Sequence, residues 1–285
     1  MCSFSGQGGR PGGAQPCYPA GVGQCNARWM TPIGLFFYSK LMEYGFIFDF
    51  DHMEYEMKTQ ALELAEAQDP PYPFVSTHGT FGGTSNLQAG RTLANGGFLY
   101  PSISSSRGFR GDMAETLAVY NEYVGVLPDA QRPLFGFGFG TDTNGLSSQS
   151  RPRSGVNGKP ITYPFTLFSG GVFDQMPEFV GNPGVSFEQP ETVDPITGLG
   201  RTWHEDIDGN AHYGMLADVV QEINLEGTAE EMRHLFNSAE VFIQTWERTL
   251  ASRDGILANG NDTNGDELGE VIVPDGVLRP APTPD

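Results

Sequence analysis

Gly45-Phe46-Ile47-Phe48-Asp49-Phe50-Asp51-His52 is the stretch that decides how this chain reads. Phe46 to Phe50 is a short apolar run of the buried-strand kind, and it stops abruptly at Asp51-His52. Upstream, Trp29 to Tyr44 places Ile33, Phe36, Phe37 and Leu41 at helical spacing, and Gly45 is a natural helix stop. Downstream, Glu54 to Gln68 is rich in Ala, Leu, Glu and Met, which predicts a helix closed by Asp69-Pro70-Pro71. Pro73 to Thr77 is a second short strand, and it too ends on a histidine, His78.

The rhythm continues. Thr84 to Ala94 reads as a helix with Thr84 or Ser85 as N-cap, and Gly97-Phe98-Leu99-Tyr100 as a third strand. Asp112 to Val126 reads as a helix with an acidic first turn. Leu134 to Phe139 reads as a fourth strand, leading into Gly140-Thr141-Asp142. Short apolar strands alternating with helices predict an α/β fold with a parallel sheet, either a barrel or a doubly wound sheet. The glycines at 136, 138 and 140 do not make a dinucleotide fingerprint, because they alternate within the strand instead of following it into a helix. From 146 to 210 the chain is rich in Pro, Gly and Ser, a long insertion of the lid kind. Helices over His212–Ile223 and Thr228–Leu250 follow, the second opened by a Thr228–Glu231 capping box. The expected organisation is a Gly/Pro/Cys-rich leader over 1–27, an α/β domain over 28–253 that carries the insertion 146–210, and a polar tail over 254–285.

Composition narrows the partners. A net charge of −19 over 285 residues argues against nucleic acid and anionic membrane surfaces, which need basic patches. No run of about 18 apolar residues is present, so no membrane span is expected. The leader has no apolar core of the secretory kind. Its Cys2, Cys17 and Cys25 match no zinc module, and read as one loop-stapling disulfide with a spare thiol. Such a bond implies an oxidising compartment. The expectation is a soluble chain, periplasmic or extracellular if cut from a longer precursor.

Five histidines are available: His52, His78, His204, His212 and His234. His52 and His78 fall at successive strand ends, and Asp142 follows another. Strand C-termini form the active-site face of a (β/α)₈ barrel, so polar groups there tend to be catalytic. Imidazole suits zinc or a similar divalent cation, and a carboxylate on the same face can bind or deprotonate metal-bound water. His204 and His234 read as structural; His212, opening a helix, reads either as a local cap or as a group lining a substrate site. Asp262-Thr263-Asn264-Gly265-Asp266 imitates a calcium loop, but Glu267 and Val273 stand where glycine and glutamate are required, leaving a solvated acidic turn.

Gly45 to Met53 resembles the strand-end segment of the membrane (renal) dipeptidase family, within the metal-dependent amidohydrolase superfamily. Phe74-Val75-Ser76-Thr77-His78-Gly79 is similar to that family's next histidine segment, and Phe139 to Gly145 to its last aspartate segment. The three motifs occur in the family's order, over roughly residues 28–145. The His212-Tyr213-Gly214-Met215 segment is also similar to large bacterial relatives. The resemblance implies strands five to eight of a TIM-like barrel, with the long insertion and C-terminal helices added. It implies that His52 and His78 bind the second metal of a two-metal site. Asp142 would orient or deprotonate the attacking water, and Arg91 and His212 would contact substrate. One or two zinc ions, or another divalent metal, would be the cofactor, and a small peptide or amide the substrate.

Departures from the family pattern are equally specific. No His-x-Asp pair precedes His52, the first glutamate is Glu43 inside a predicted helix, and Asn144 replaces the second aspartate of the last motif. Half the barrel and half the ligands are expected from a second chain or a missing N-terminal half. The alternative expectation is a non-catalytic, metal-site-deficient domain that binds a ligand or partner. A doubly wound binding domain would need a phosphate loop, and none is evident.

Overall fold

A computed structural model describes residues 29–79, 84–103, 106–141, 152, 159–178 and 192–279. The leader, its three cysteines, Asp142, most of the segment 142–158, residues 179–191 and the last six residues lie outside the described residues. Two compact units are present. The first comprises the chain up to Leu99, Thr116–Leu134 and the chain from Glu240; the second comprises Tyr100–Glu115 and Phe135–Ala239.

In the first unit, α1 (Pro32–Glu43) starts at Thr31, whose hydroxyl accepts from Gly34 N, and stops at Gly45 with φ 74°. Then come β1 (Phe48–Asp49), α2 (Tyr55–Glu66), β2 (Phe74–Ser76), α3 (Asn86–Ala94) and β3 (Phe98–Leu99). The strands form one parallel sheet in the order β1-β2-β3, with Phe48 opposite Phe74 and Val75 opposite Phe98. Ser85 closes a reciprocal capping box with Gln88 at the start of α3. The chain is thus mixed α/β with a parallel sheet, as the alternation predicts. No closed barrel is seen among the described residues.

Phe48, Phe50, Tyr72 and Phe74 make the aromatic centre of the first unit's core, joined by Leu62, Leu64, Leu93 and Leu99. Residues 271–279 lie against α2. Gln68 pairs through its side-chain amide with both backbone groups of Ile272, and Gln60 donates to Val277 O. Buried amides of this kind are tolerated because each polar atom finds a partner.

The expected fourth strand differs. Residues 134–139 join no ladder, and pairing is reduced to one parallel bridge, Gly140 with Ser102. The reason lies in the glycines. A Cβ on Gly136 would stand 2.6 Å from Asn237 C, and Phe137 N donates to His234 O at 2.8 Å. The segment therefore lies directly against a helix backbone in the second unit. That helix belongs to α7 (Ala229–Ala258), which follows α5 (Glu205–Asp208) and α6 (Leu216–Glu226). Thr228 and Glu231 form the expected capping box. The helix expected from Asp112 begins earlier, as α4 (Ser106–Tyr123), where Phe109 and Met113 are buried. Two-residue strands β4 (Phe165–Thr166) with β5 (Thr192–Val193), and β6 (Thr197–Gly198) with β7 (Arg201–Thr202), complete the second unit. Among the described residues, no helix is long and apolar enough to cross a membrane.

Candidate metal centre

Parallel pairing of β1 with β2 brings the residues after both strands to the same sheet end. Phe50 N continues the ladder by donating to Val75 O, and the chain then turns at Asp51-His52. His52 has φ 64°, the left-handed region that favours glycine, and histidine there carries a strain of about 1–2 kcal/mol. In that conformation its Nε2 lies 2.7 Å from Nε2 of His78, with the rings inclined at 48°.

Asp51 fixes the second imidazole. Its carboxylate accepts from Ser76 Oγ (2.6 Å), Thr77 N (3.0 Å) and His78 N (2.9 Å), and its Oδ2 lies 3.1 Å from His78 Nδ1. Thr77 Oγ1, whose own proton goes to Asp49, lies 3.3 Å from the same Nδ1, so both neighbours favour the His78 proton on Nδ1 and the lone pair on Nε2, the nitrogen facing His52. Such a carboxylate–histidine arrangement is the usual support of a metal-binding imidazole. Gly79 makes it possible: a Cβ there would meet Asp51 Oδ1 at 2.5 Å. Asp49 accepts from Asp51 N at 2.7 Å and from the Thr77 hydroxyl. Partial burial raises the Asp49 carboxyl above its ordinary pKa, opposed by those two hydrogen bonds.

Asp49, Asp51 and His78 each bring a ligand-type atom within 4.8 Å of the others. His52 is not part of that group; it adds an imidazole on the far side of His78, and a mixed imidazole and carboxylate set of this kind suits zinc. Zinc–imidazole bonds of 2.0–2.1 Å place two nitrogens of a tetrahedral site about 3.3 Å apart. Because Asp51 is already held by two amides, a hydroxyl and an imidazole, it orients His78, and Asp49 is the freer carboxylate. Lys58, buried on α2, donates to Thr84 Oγ1 (2.9 Å) with its ammonium 5.2 Å from the Phe50 ring centre. Burial lowers its pKa, and the charges of Asp51 and Asp49 oppose that shift.

The chain gives no match to any family model, curated protein or solved structure.

The other sequence candidates stand as follows. Arg91 points its guanidinium at Glu66, with bonds of 2.8 and 2.7 Å to the two carboxylate oxygens, so its fork is occupied. Asp142 lies outside the described residues. His212 belongs to the second unit, where its Nδ1 accepts from Gly214 N at 3.2 Å and its ring packs edge-on against Trp203. His204 likewise accepts from Asp206 N. An Nδ1 that accepts leaves the proton on Nε2, so neither ring nitrogen of His204 or His212 keeps a free lone pair in this tautomer. His78 has the opposite arrangement. Nearby, the Tyr163 hydroxyl donates to buried Asp218, whose carboxyl is raised by burial and held down by Tyr163, His204 and His212.

Sequence reasoning named the two histidines but assigned no role to Asp49, Asp51, Ser76 or Thr77. The signal was the Asp-x-Asp-His spacing, which sets three polar groups at one strand end.

Proposed function

We propose that this chain is a metal-binding α/β domain of the amidohydrolase type, the second half of a (β/α)₈ barrel, with dipeptidase-like hydrolysis as its chemistry. The observation that supports this reading is the His52–His78 pair: two ring nitrogens 2.7 Å apart at adjacent strand ends, one held in the metal-binding tautomer by Asp51. His52 and His78 would hold a divalent cation such as zinc, with Asp49 as the proposed carboxylate ligand from the same strand ends. When bound, a cation of this kind acidifies a coordinated water and polarises an amide carbonyl. The residues of the chain hold the imidazoles in one orientation, and the family resemblance would give the role of proton acceptor to Asp142, which lies outside the described residues. A small peptide or amide is the proposed substrate, with Arg91 as its proposed contact in the unit that holds the histidine pair. The engagement of Arg91 by Glu66 requires that pair to open for such a role.

A second reading keeps the fold and removes the catalysis. The described strand ends supply one cluster of metal-ligand type, and Arg91 is ion-paired, which favours a domain that binds a ligand or partner without turnover.

Elemental analysis of the purified chain separates the two. Near-stoichiometric zinc that is lost in His52→Ala/His78→Ala supports the metal centre and makes amide hydrolysis worth assaying. A wild-type chain that takes up no zinc, cobalt or manganese after reconstitution leaves only the non-catalytic reading.

A further inference from the structure

Helix α1 is apolar on nearly all sides, yet Met42 is its one fully buried residue. Met42 stands nine positions beyond Ile33, half a turn round the helix, so the stripe carrying Ile33, Phe36 and Phe37 faces away from the core. Those three side chains, with Tyr44 and Phe46 just beyond the helix, are between 55% and 77% exposed. A helix that is apolar all round is ordinarily covered. At about 150–250 Å² for a large side chain, the five together offer on the order of 600 Å², at the upper end of what monomers expose in one patch.

Charge identifies the occupant. Between Trp29 and Phe48 the only ionisable acid or base side chains are Lys40 and Glu43, and they pair with each other at 2.6 Å. The segment is therefore neutral in a chain of net charge −19. Two copies repel each other over the acidic remainder of the surface and not here. A self-complementary apolar stripe suits a two-fold interface, in which the same patch is used by both subunits. Two such patches bury on the order of 1,200 Å² in total, the lower limit of a specific interface.

We propose that the exposed face of α1 is the interface of a homodimer, formed by packing α1 of one copy against α1 of a second. The dimer is of the weaker, concentration-dependent kind. It does not depend on the metal centre, and metal-free protein forms it equally.

Sedimentation velocity over a hundredfold concentration range tests this on the full chain. The expected result is a single step from the 30.9 kDa monomer to a discrete species of twice that mass. Phe36→Asp/Phe37→Asp stays monomeric throughout, with unchanged circular dichroism because both side chains are exposed in the monomer. Val126→Asp, at an exposed apolar position outside the stripe, dimerises like the parent. A wild-type chain that is monomeric at every concentration overturns the proposal, as does a folded double variant that still dimerises. Open-ended association without a discrete dimer overturns it as well. Should the double variant fail to fold, Tyr44→Glu, placed after the last turn of α1, gives the same two outcomes.

Discussion

Asp51 and His78 are joined twice: the carboxylate accepts the backbone N–H of His78 at 2.9 Å, and its Oδ2 stands 3.1 Å from the Nδ1 of the same residue. The two contacts fix both the backbone and the ring of His78, and leave a single nitrogen facing His52. Asp51→Asn keeps the size of the side chain and one acceptor oxygen but removes the charge that holds the Nδ1 proton. Losing such an outer partner ordinarily weakens metal affinity about 10- to 100-fold. Competition of the variant with a chromophoric zinc chelator measures this, and an affinity equal to the parent's would show that Asp51 does not orient the ring.

The same contact can be broken from the other side. A Cβ on Gly79 would lie 2.5 Å from Asp51 Oδ1, so Gly79→Ala must displace the carboxylate or the turn after β2. It is expected to lower zinc affinity in the same direction as Asp51→Asn. Combined, the two substitutions should be less than additive, since they remove one interaction. Full additivity in the double-mutant cycle would separate Gly79 from the orientation of His78.

How much of this was legible in the sequence depends on whether the cause was local. The helix starts at Ser85 and Thr228 were readable because a cap is a matter of three or four consecutive residues, whereas the start at Thr31 was not singled out within Trp29 to Tyr44. The histidines after β1 and β2 were readable because abrupt polarity after an apolar run marks a strand end. The role of Asp51 was not, because its partners are residues 76–78, placed beside it only by parallel pairing. Leu134 to Phe139 has the composition of a strand, but composition does not say what the strand lies against; here the contact is with the α7 backbone through Gly136. The early start of α4 was hidden by Gly108 and Gly111, whose low helix propensity is overridden by the burial of Phe109.

Two helical glycines give opposite expectations. Gly111 in α4 is exposed and has nothing within 4 Å of an added Cβ, so Gly111→Ala should stabilise by roughly 0.5–1 kcal/mol. Gly90 in α3 lies under the Tyr123 ring, which a Cβ would approach to 2.2 Å. Gly90→Ala should destabilise by about 1–3 kcal/mol through overpacking. Urea denaturation of both variants reads the two signs, and stabilisation by Gly90→Ala would contradict the packing of α3 against Tyr123.

The core should respond far more strongly than the exposed apolar stripe. Phe74 is 1% exposed, at the centre of the aromatic cluster with Phe48 and Tyr72, and Phe74→Ala is expected to lose about 3–5 kcal/mol. Ile33→Ala, on the outer side of α1, should change the stability of the dilute monomer by less than about 0.5 kcal/mol. Chemical denaturation at low micromolar concentration compares them; similar losses would mean that α1 packs with its other face inward.

Acid stability offers a last test, through His234 in the second unit. Its ring packs edge-on against Phe135 at 4.8 Å, and neither ring nitrogen has a hydrogen-bond partner. Burial lowers its pKa below the ordinary value of 6.5, and the charges of Glu230 and Glu231 only partly oppose that shift. The unfolded chain therefore takes up a proton near pH 6.5 that the folded chain does not. By linkage, the contribution to stability is complete above that pH and is lost as pH falls from there towards the lower folded value. Carboxylates with lowered pKa values, such as Asp208 and Asp262, act at more acidic pH, and those raised by burial, Asp49, Asp112 and Asp218, are common to parent and variant, so the difference between the two curves isolates His234. His234→Phe keeps an aromatic ring against Phe135 and removes the proton. Its unfolding temperature should fall less steeply than the parent's between about pH 7 and pH 5. Parallel curves over that interval would show that His234 is protonated as readily in the folded chain as in the unfolded one.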